Sequence, residues 1–145
     1  MELLSTSFDY GQEIPQRYGK KIENVSPQLF WEGVPRQTKS FALSLVDNHP
    51  VARKYVHWLV VDIGADVTML AKGAAGRGLL GGGREVEAYA GPFPPSGTHE
   101  YEFTLYALGV ETLDLPAKAT LDRFVQATEG DVLAAATLLG TFTKA

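Results

Sequence analysis

The amino-acid sequence predicts a mainly β domain with short helices laid against the outside of a sheet. Three stretches lead there. Residues 40–46 form a short apolar run with partial alternation between polar flanks, the pattern of a strand. Residues 56–63 are rich in β-branched and aromatic side chains. They are apolar on both faces at Leu59, Val60 and Val61, which suits a central strand rather than an edge. From 101 to 108 the chain alternates, with Tyr101, Phe103, Leu105 and Ala107 on one face and Glu102 and Thr104 on the other.

The remaining segments follow from their breakers and periods. The first thirty residues are turn-rich, with Gly11, Pro15, Gly19 and Pro27 spaced through polar positions. Residues 73–83 hold six glycines in eleven positions, too many for a regular element, and read as a surface loop. Gly76-Arg77-Gly78-Leu79-Leu80-Gly81 matches G-x-G-x-x-G, but Gly82-Gly83 follows at once and no helix can start there, so no nucleotide cradle is expected. In the C-terminal third the spacing changes. Leu121, Phe124 and Val125, then Val132, Leu133, Ala136 and Leu139, recur three and four apart. This predicts two short helices. Asp114 or Thr120 caps the first, Gly130 ends it and Asp131 caps the second.

A chain of 145 residues is of ordinary single-domain size and buries enough surface for one core without staples. A net charge of −4, with no more than two basic residues in a row, argues against nucleic acid and anionic membrane surfaces. No cysteine is present, which excludes disulfides, thiolate nucleophiles and thiolate metal sites, and suits a reducing compartment. The start shows no basic, apolar leader and no window is long and apolar enough to span a bilayer, so a cytoplasmic location is expected.

Three short stretches carry chemistry: Asp47-Asn48-His49-Pro50, Val56-His57-Trp58, and the segment 91–101 with Gly91, Pro92, Pro95, His99 and Tyr101. If the strands ending at Asp47 and starting at Val56 are neighbours, Asp47 and His57 reach one rim. A carboxylate there would fix the imidazole's tautomer and favour its charged form. His99 and Tyr101 are two apart and face the same way on an extended segment. The 91–97 turn brings glycines that let a ligand approach the backbone and prolines that stiffen it. Such a group of donors suits an anion. Each residue also has a plainer reading: a satisfied histidine, a core tyrosine, an Asx-turn aspartate, a rigid connector. The histidine spacing matches no compact zinc motif, and no Gly-x-Ser-x-Gly elbow is present.

These residues resemble the phosphatidylethanolamine-binding protein family, which includes the Raf kinase inhibitor proteins, and in particular its short bacterial and archaeal members. Asn24 to Trp31 resembles the family's N-x-S-P-x-L-x-W segment. Residues 38–47 resemble its strand into a D-P-D-A-P box, and Val56-His57-Trp58 its H-W strand. Residues 89–101 resemble its G-P-x-P-P-x-G-x-H-x-Y signature, and 132–142 its closing helix and strand. The resemblance implies two antiparallel sheets with a few peripheral helices and a small pocket for phosphate-like or carboxylate-like groups. By motif match the pocket residues are Asp47, His57, His99 and Tyr101, with Pro50, Gly91, Pro92 and Pro95 shaping its wall and His49 and Tyr55 at its rim. Two departures stand out: the box is one residue shorter, as Asp47-Asn48-His49-Pro50, and Asp131 stands where the family commonly has histidine.

The expectation is therefore a binding protein, not an enzyme, that needs no cofactor or metal and takes a small anion or a phospho-headgroup. By the same resemblance a kinase or serine-protease inhibitor is the alternative, and a weak hydrolase using Asp47 and His57 on a bound water is the second. A homodimer is open by analogy with short prokaryotic relatives, although no exposed apolar stripe marks its interface.

Overall fold

The computed structural model covers residues 1–145. It contains two antiparallel sheets. The smaller has three strands, β1 (Glu2–Leu4), β2 (Leu29–Glu32) and β5 (Met69–Leu70), with β2 in the centre. The larger has five: β3 (Ser40–Asp47), β4 (Val56–Gly64), β6 (Arg84–Glu87), β7 (Thr98–Leu108) and β8 (Val132–Thr143), in the order β6-β4-β3-β7-β8. The strand read as central, β4, is interior to this sheet, as are β3 and β7.

Alternation splits the apolar residues of the large sheet between two cores. Phe41, Leu43 and Leu45 of β3, Trp58 and Val60 of β4, and Tyr101, Phe103 and Leu105 of β7 face the small sheet. There they pack with Leu3, Leu29, Trp31 and Leu70 in a cluster of 22 buried residues. Ala42, Leu59, Val61 and Leu108 face the other way, into a smaller cluster covered by Leu113, Leu115 and Phe124. Phe124 lies on α1 (Leu121–Thr128), whose N-terminus is capped by Thr120: its Oγ1 accepts from the Arg123 backbone N–H at 3.2 Å.

One expectation fails. The second short helix, predicted from Val132, Leu133, Ala136 and Leu139, is the strand β8. It pairs along its length with β7, from Thr98 opposite Thr143 to Leu108 opposite Val132. The stretch carries two periods at once. Ala134, Ala136, Leu138, Gly140 and Phe142 alternate as well as the helical set does, and alanine suits either state. Unpaired, β7 would present a long edge of free N–H and C=O groups; pairing satisfies them and decides the outcome. Inward-facing Leu138 and Phe142 are buried, whereas Val132 and Leu133 stay exposed. Gly140 is required by packing, since a Cβ there would lie 2.5 Å from Ile14 Cγ1 and 2.8 Å from Phe8 Cε2. The segment 11–14 seals the outer edge of β8, with Ile14 N–H donating to the Thr141 carbonyl at 2.7 Å.

The glycine-rich stretch 73–83 is a loop, and β6 rather than a helix follows it. Its anchor is Glu85, whose carboxylate accepts from the Gly76 N–H at 2.7 Å and from Trp58 Nε1 at 2.9 Å.

Candidate functional site

Three neighbouring strands bring the chemistry to one rim of the large sheet. β3 ends at Asp47, β4 begins at Val56 and β7 begins at Thr98, all on the same side, because β3 runs antiparallel to both neighbours. Asp47 stands opposite Tyr101 in the ladder, and His99 is two residues before Tyr101 on the same face. On β4, Leu45 pairs with Trp58 and Val46 with Val56, so His57 is the extra residue of a β-bulge. A bulge re-aims its side chain, and here it turns the imidazole to the rim.

The hollow at this rim has a volume of about 250 Å³ and is lined by Val51, Ala52, Tyr55, His57, Phe93, Pro95, His99 and Tyr101. That is below the roughly 300–1,000 Å³ usual for drug-sized ligands and suits a small polar group. Two clefts are larger: one of about 320 Å³ between β1 and β8 with no imidazole and no basic side chain, and an open one of about 360 Å³ lined by Arg53, Lys54 and Asp122, also without an imidazole. Chemistry, not size, selects the rim site.

Asp47, His57, His99 and Tyr101 are all buried to within 4% of full burial. His99 Nδ1–H donates to Asp47 Oδ2 at 2.6 Å, and the second carboxylate oxygen accepts the His49 backbone N–H at 2.8 Å. Asp47 therefore holds an Asx-type turn and orients an imidazole with the same group. That imidazole is not the one expected. The ring paired with Asp47 is His99, whereas His57 Nδ1–H donates to the Ala90 carbonyl at 2.5 Å, and the Ala90 N–H returns a bond to the His57 carbonyl at 2.8 Å. The physical reason is register: Tyr101 faces Asp47 directly across the ladder, which puts the next inward residue of β7 within reach, while the bulge carries His57 toward the 90–95 turn.

Burial pulls the His57 pKa below its ordinary 6.5. Its bond to Ala90 and the negative charge of Asp47 oppose that shift, but burial prevails. Burial also pushes the Tyr101 hydroxyl well above the usual tyrosine range, and the Asp47 charge adds to the effect. The Tyr101 hydroxyl is fully enclosed and makes no hydrogen bond of good geometry, with the Asp47 carboxylate and the Phe93 backbone as its polar neighbours.

His49 stacks on His99 with ring centroids 3.9 Å apart and planes 7° from parallel, and its Nδ1 accepts the Val51 N–H at 3.2 Å. It thus covers the Asp47–His99 pair and starts the 3-10 turn Pro50–Ala52, with Pro50 in the first position. Tyr55 is half exposed and meets His57 edge-on at 4.9 Å and Phe93 at 5.7 Å. Lys20 Nζ sits 4.5 Å above the Phe93 ring and brings a positive charge close to the hollow.

Of the wall residues expected, Pro95 lines the hollow, and Pro50 heads the turn that carries Val51 and Ala52. Gly91 and Pro92 do not line it. Gly91 is needed for a different close approach: a Cβ there would lie 2.0 Å from the Tyr18 carbonyl oxygen. Its N–H donates to Asn24 Oδ1 at 2.8 Å, and the Pro92 carbonyl accepts the Lys20 N–H at 3.0 Å. The turn is thus seated on the N-terminal segment, not opened toward a ligand. Phe93, Val51 and Ala52 line the hollow and were not expected; the aromatic residue inside a proline-rich turn is the one signal that pointed to Phe93. Asp131 lies at the far end of the β7–β8 ladder. Its carbonyl accepts the Gly109 N–H, whereas His99 pairs with Phe142 at the other end, so the residue does not border the hollow.

Comparison with known proteins adds to this geometry. Residues 4–143 match the family model described as phosphatidylethanolamine-binding protein. A UPF0098 protein of Methanothermobacter thermautotrophicus is 37% identical over 99% of both chains. A protein of Mycobacterium tuberculosis that bears a lipoprotein name, LppC, is 38% identical over 98% of this chain and 72% of its own. CT736 of Chlamydia trachomatis is described as a homologue of phosphatidylethanolamine-binding protein. Its crystal structure is 32% identical with a TM-score of 0.86, covering 99% of this chain and 97% of that one. YbcL of Escherichia coli, described as a member of the same family, reaches a TM-score of 0.88 at 27% identity over 99% and 98% of the two chains.

Proposed function

Because this chain belongs to the phosphatidylethanolamine-binding protein family, we propose that it is a binding protein whose rim hollow holds a phosphate-like or carboxylate-like group, on a headgroup or on a small phosphorylated ligand. One observation carries this reading: His57 on one strand and the pair His99 and Tyr101 on another, more than forty residues away, converge on one small hollow. Ring nitrogens held in place in a shielded hollow meet a small polar group with little reorganisation. Lys20, across Phe93, favours the same sign of charge.

The reading is non-enzymatic. The lining side chains offer no serine, threonine, cysteine or lysine as a nucleophile. The hydrolase alternative relied on Asp47 activating water through His57, and Asp47 is instead engaged by His99. A carboxypeptidase Y inhibitor, solved with its cognate proteinase, shares the fold at 16% identity and a TM-score of 0.57; that likeness concerns the fold alone and favours no inhibitor role here. No helix is long and apolar enough to cross a membrane. A cytoplasmic location is proposed on the lack of cysteine alone.

The test is an NMR titration with inorganic phosphate that follows the ring protons of all three histidines. The expected result is saturable movement of the His57 and His99 signals by millimolar phosphate. Signals that stay fixed through that range dispose of the reading.

A further inference from the structure

We infer that this hollow selects an anion that brings its own proton, such as a phosphomonoester in its monoanionic form, over a permanently deprotonated anion such as a sulfate ester or the diester phosphate of a lipid headgroup. The inference rests on the anion-binding reading above and sharpens it to a ligand class.

The hydrogen bond of His57 fixes the tautomer of its ring. A carbonyl oxygen only accepts, so the bond to Ala90 obliges Nδ1 of His57 to carry a proton. In the neutral ring Nε2 then has a lone pair. That atom makes no hydrogen bond within the chain, and it is not among the fully enclosed polar atoms that lack a partner. His57 lines the hollow, so Nε2 faces it as an acceptor.

For the site to take an anion that has no proton, His57 must itself become charged. The groups that face it work largely against this. Tyr55 and Phe93 present ring edges at 4.9 and 5.5 Å, and Tyr101 lies 5.2 Å away with its hydroxyl protonated. Lys20 contributes a like charge. Asp47 is the one opposing charge, and its two oxygens are taken by His99 and by the His49 N–H. His99 has the Asp47 carboxylate at 2.6 Å, a direct contact that His57 lacks.

The hollow therefore presents an acceptor, His57 Nε2, among the rings of Tyr55, Phe93 and Tyr101. A tetrahedral oxyanion with one P–OH satisfies that acceptor, because the P–OH donates to Nε2. An anion with four unprotonated or esterified oxygens sets one of them against the His57 lone pair. A phosphomonoester has its second pKa near about 6, so the proton-bearing form is available close to neutrality.

Methyl phosphate and methyl sulfate separate the cases, because the monoanion of the first differs from the second by little more than the proton. At pH 6.5, methyl phosphate is expected to bind at least about tenfold more tightly than methyl sulfate or glycerophosphoethanolamine, with ¹⁵N shifts showing that His57 Nε2 stays unprotonated in the complex. His57→Gln is expected to bring methyl phosphate and methyl sulfate to within about twofold of each other. Equal binding of the two by the parent protein, or an imidazolium ¹⁵N signature for His57 in the methyl phosphate complex, overturns the inference and leaves the anion site standing. If none of the three probes moves any histidine signal, the anion site itself is overturned. The parent measurements decide the question even if the variant does not fold.

Discussion

At the scale of single residues, Tyr101 and His57 show how a site is paid for in stability. Tyr101 forms part of the larger core through its ring, and its hydroxyl is buried there without a partner. Removing that hydroxyl removes an unsatisfied donor and leaves the packing intact. Tyr101→Phe is therefore expected to leave the protein as stable as the parent or more stable by about 1 kcal/mol in urea unfolding. A variant that is clearly destabilised would show that the hydroxyl has a structural partner after all. Asp47 carries a different burden, because one carboxylate holds both the turn at His49 and the ring of His99.

At the scale of elements, the site depends on how the 90–95 turn is seated. The turn has no regular structure and is held by Gly91 against the backbone of residues 18–20, by the Asn24 side chain, and by the Tyr89 hydroxyl, which donates to the Tyr18 carbonyl at 2.9 Å. There is no room for a Cβ at Gly91, and the obstacle is a backbone oxygen that cannot swing aside. Gly91→Ala is expected to cost about 3 kcal/mol in chemical denaturation and to shift the His57 ring signals, since the Ala90 carbonyl that orients the ring is adjacent. Unchanged stability would mean that the N-terminal segment is not the seat of the turn. The cap of α1 gives the contrasting case. Thr120→Ala removes the acceptor for the Arg123 N–H and is expected to cost about 1 kcal/mol by thermal or urea unfolding, with phosphate binding unaffected, because Thr120 does not line the hollow.

At the scale of the whole molecule, the histidine kept neutral links stability to pH. Folded His57 takes up its proton only below the ordinary 6.5, whereas the unfolded chain takes it up around that value. Between the two the unfolded state holds more protons, so stability falls as pH falls from 6.5 toward the lower folded value. The slope from this one group reaches at most about 1.4 kcal/mol per pH unit. The urea midpoint is expected to drop on going from pH 7 to pH 5.5, and His57→Gln is expected to flatten that dependence. If parent and variant show the same slope, His57 is not the group responsible.

Much of this protein is set by local pattern. The alternation at 101–108 and the apolar runs at 40–46 and 56–63 each specify a strand, because a two-residue period buries one face whatever the neighbours are. The two histidines, the aspartate and the tyrosine stand out in the sequence because proline and glycine stop the strands beside them. What needed the tertiary structure were the choices between equally good local patterns and the pairings across long separations. The alanine-rich stretch 132–143 fits a helix as well as a strand, and the open edge of β7 makes it a strand. Asp47 has a histidine ten residues away and another 52 away, and the ladder register, not chain distance, gives it the farther one. Gly91 lies in a motif that suggests room for a ligand, yet it is the carbonyl of Tyr18 that claims the space. Periodicity records which face of a segment is buried; it does not record what lies against that face, and the chemistry of this site depends on the latter.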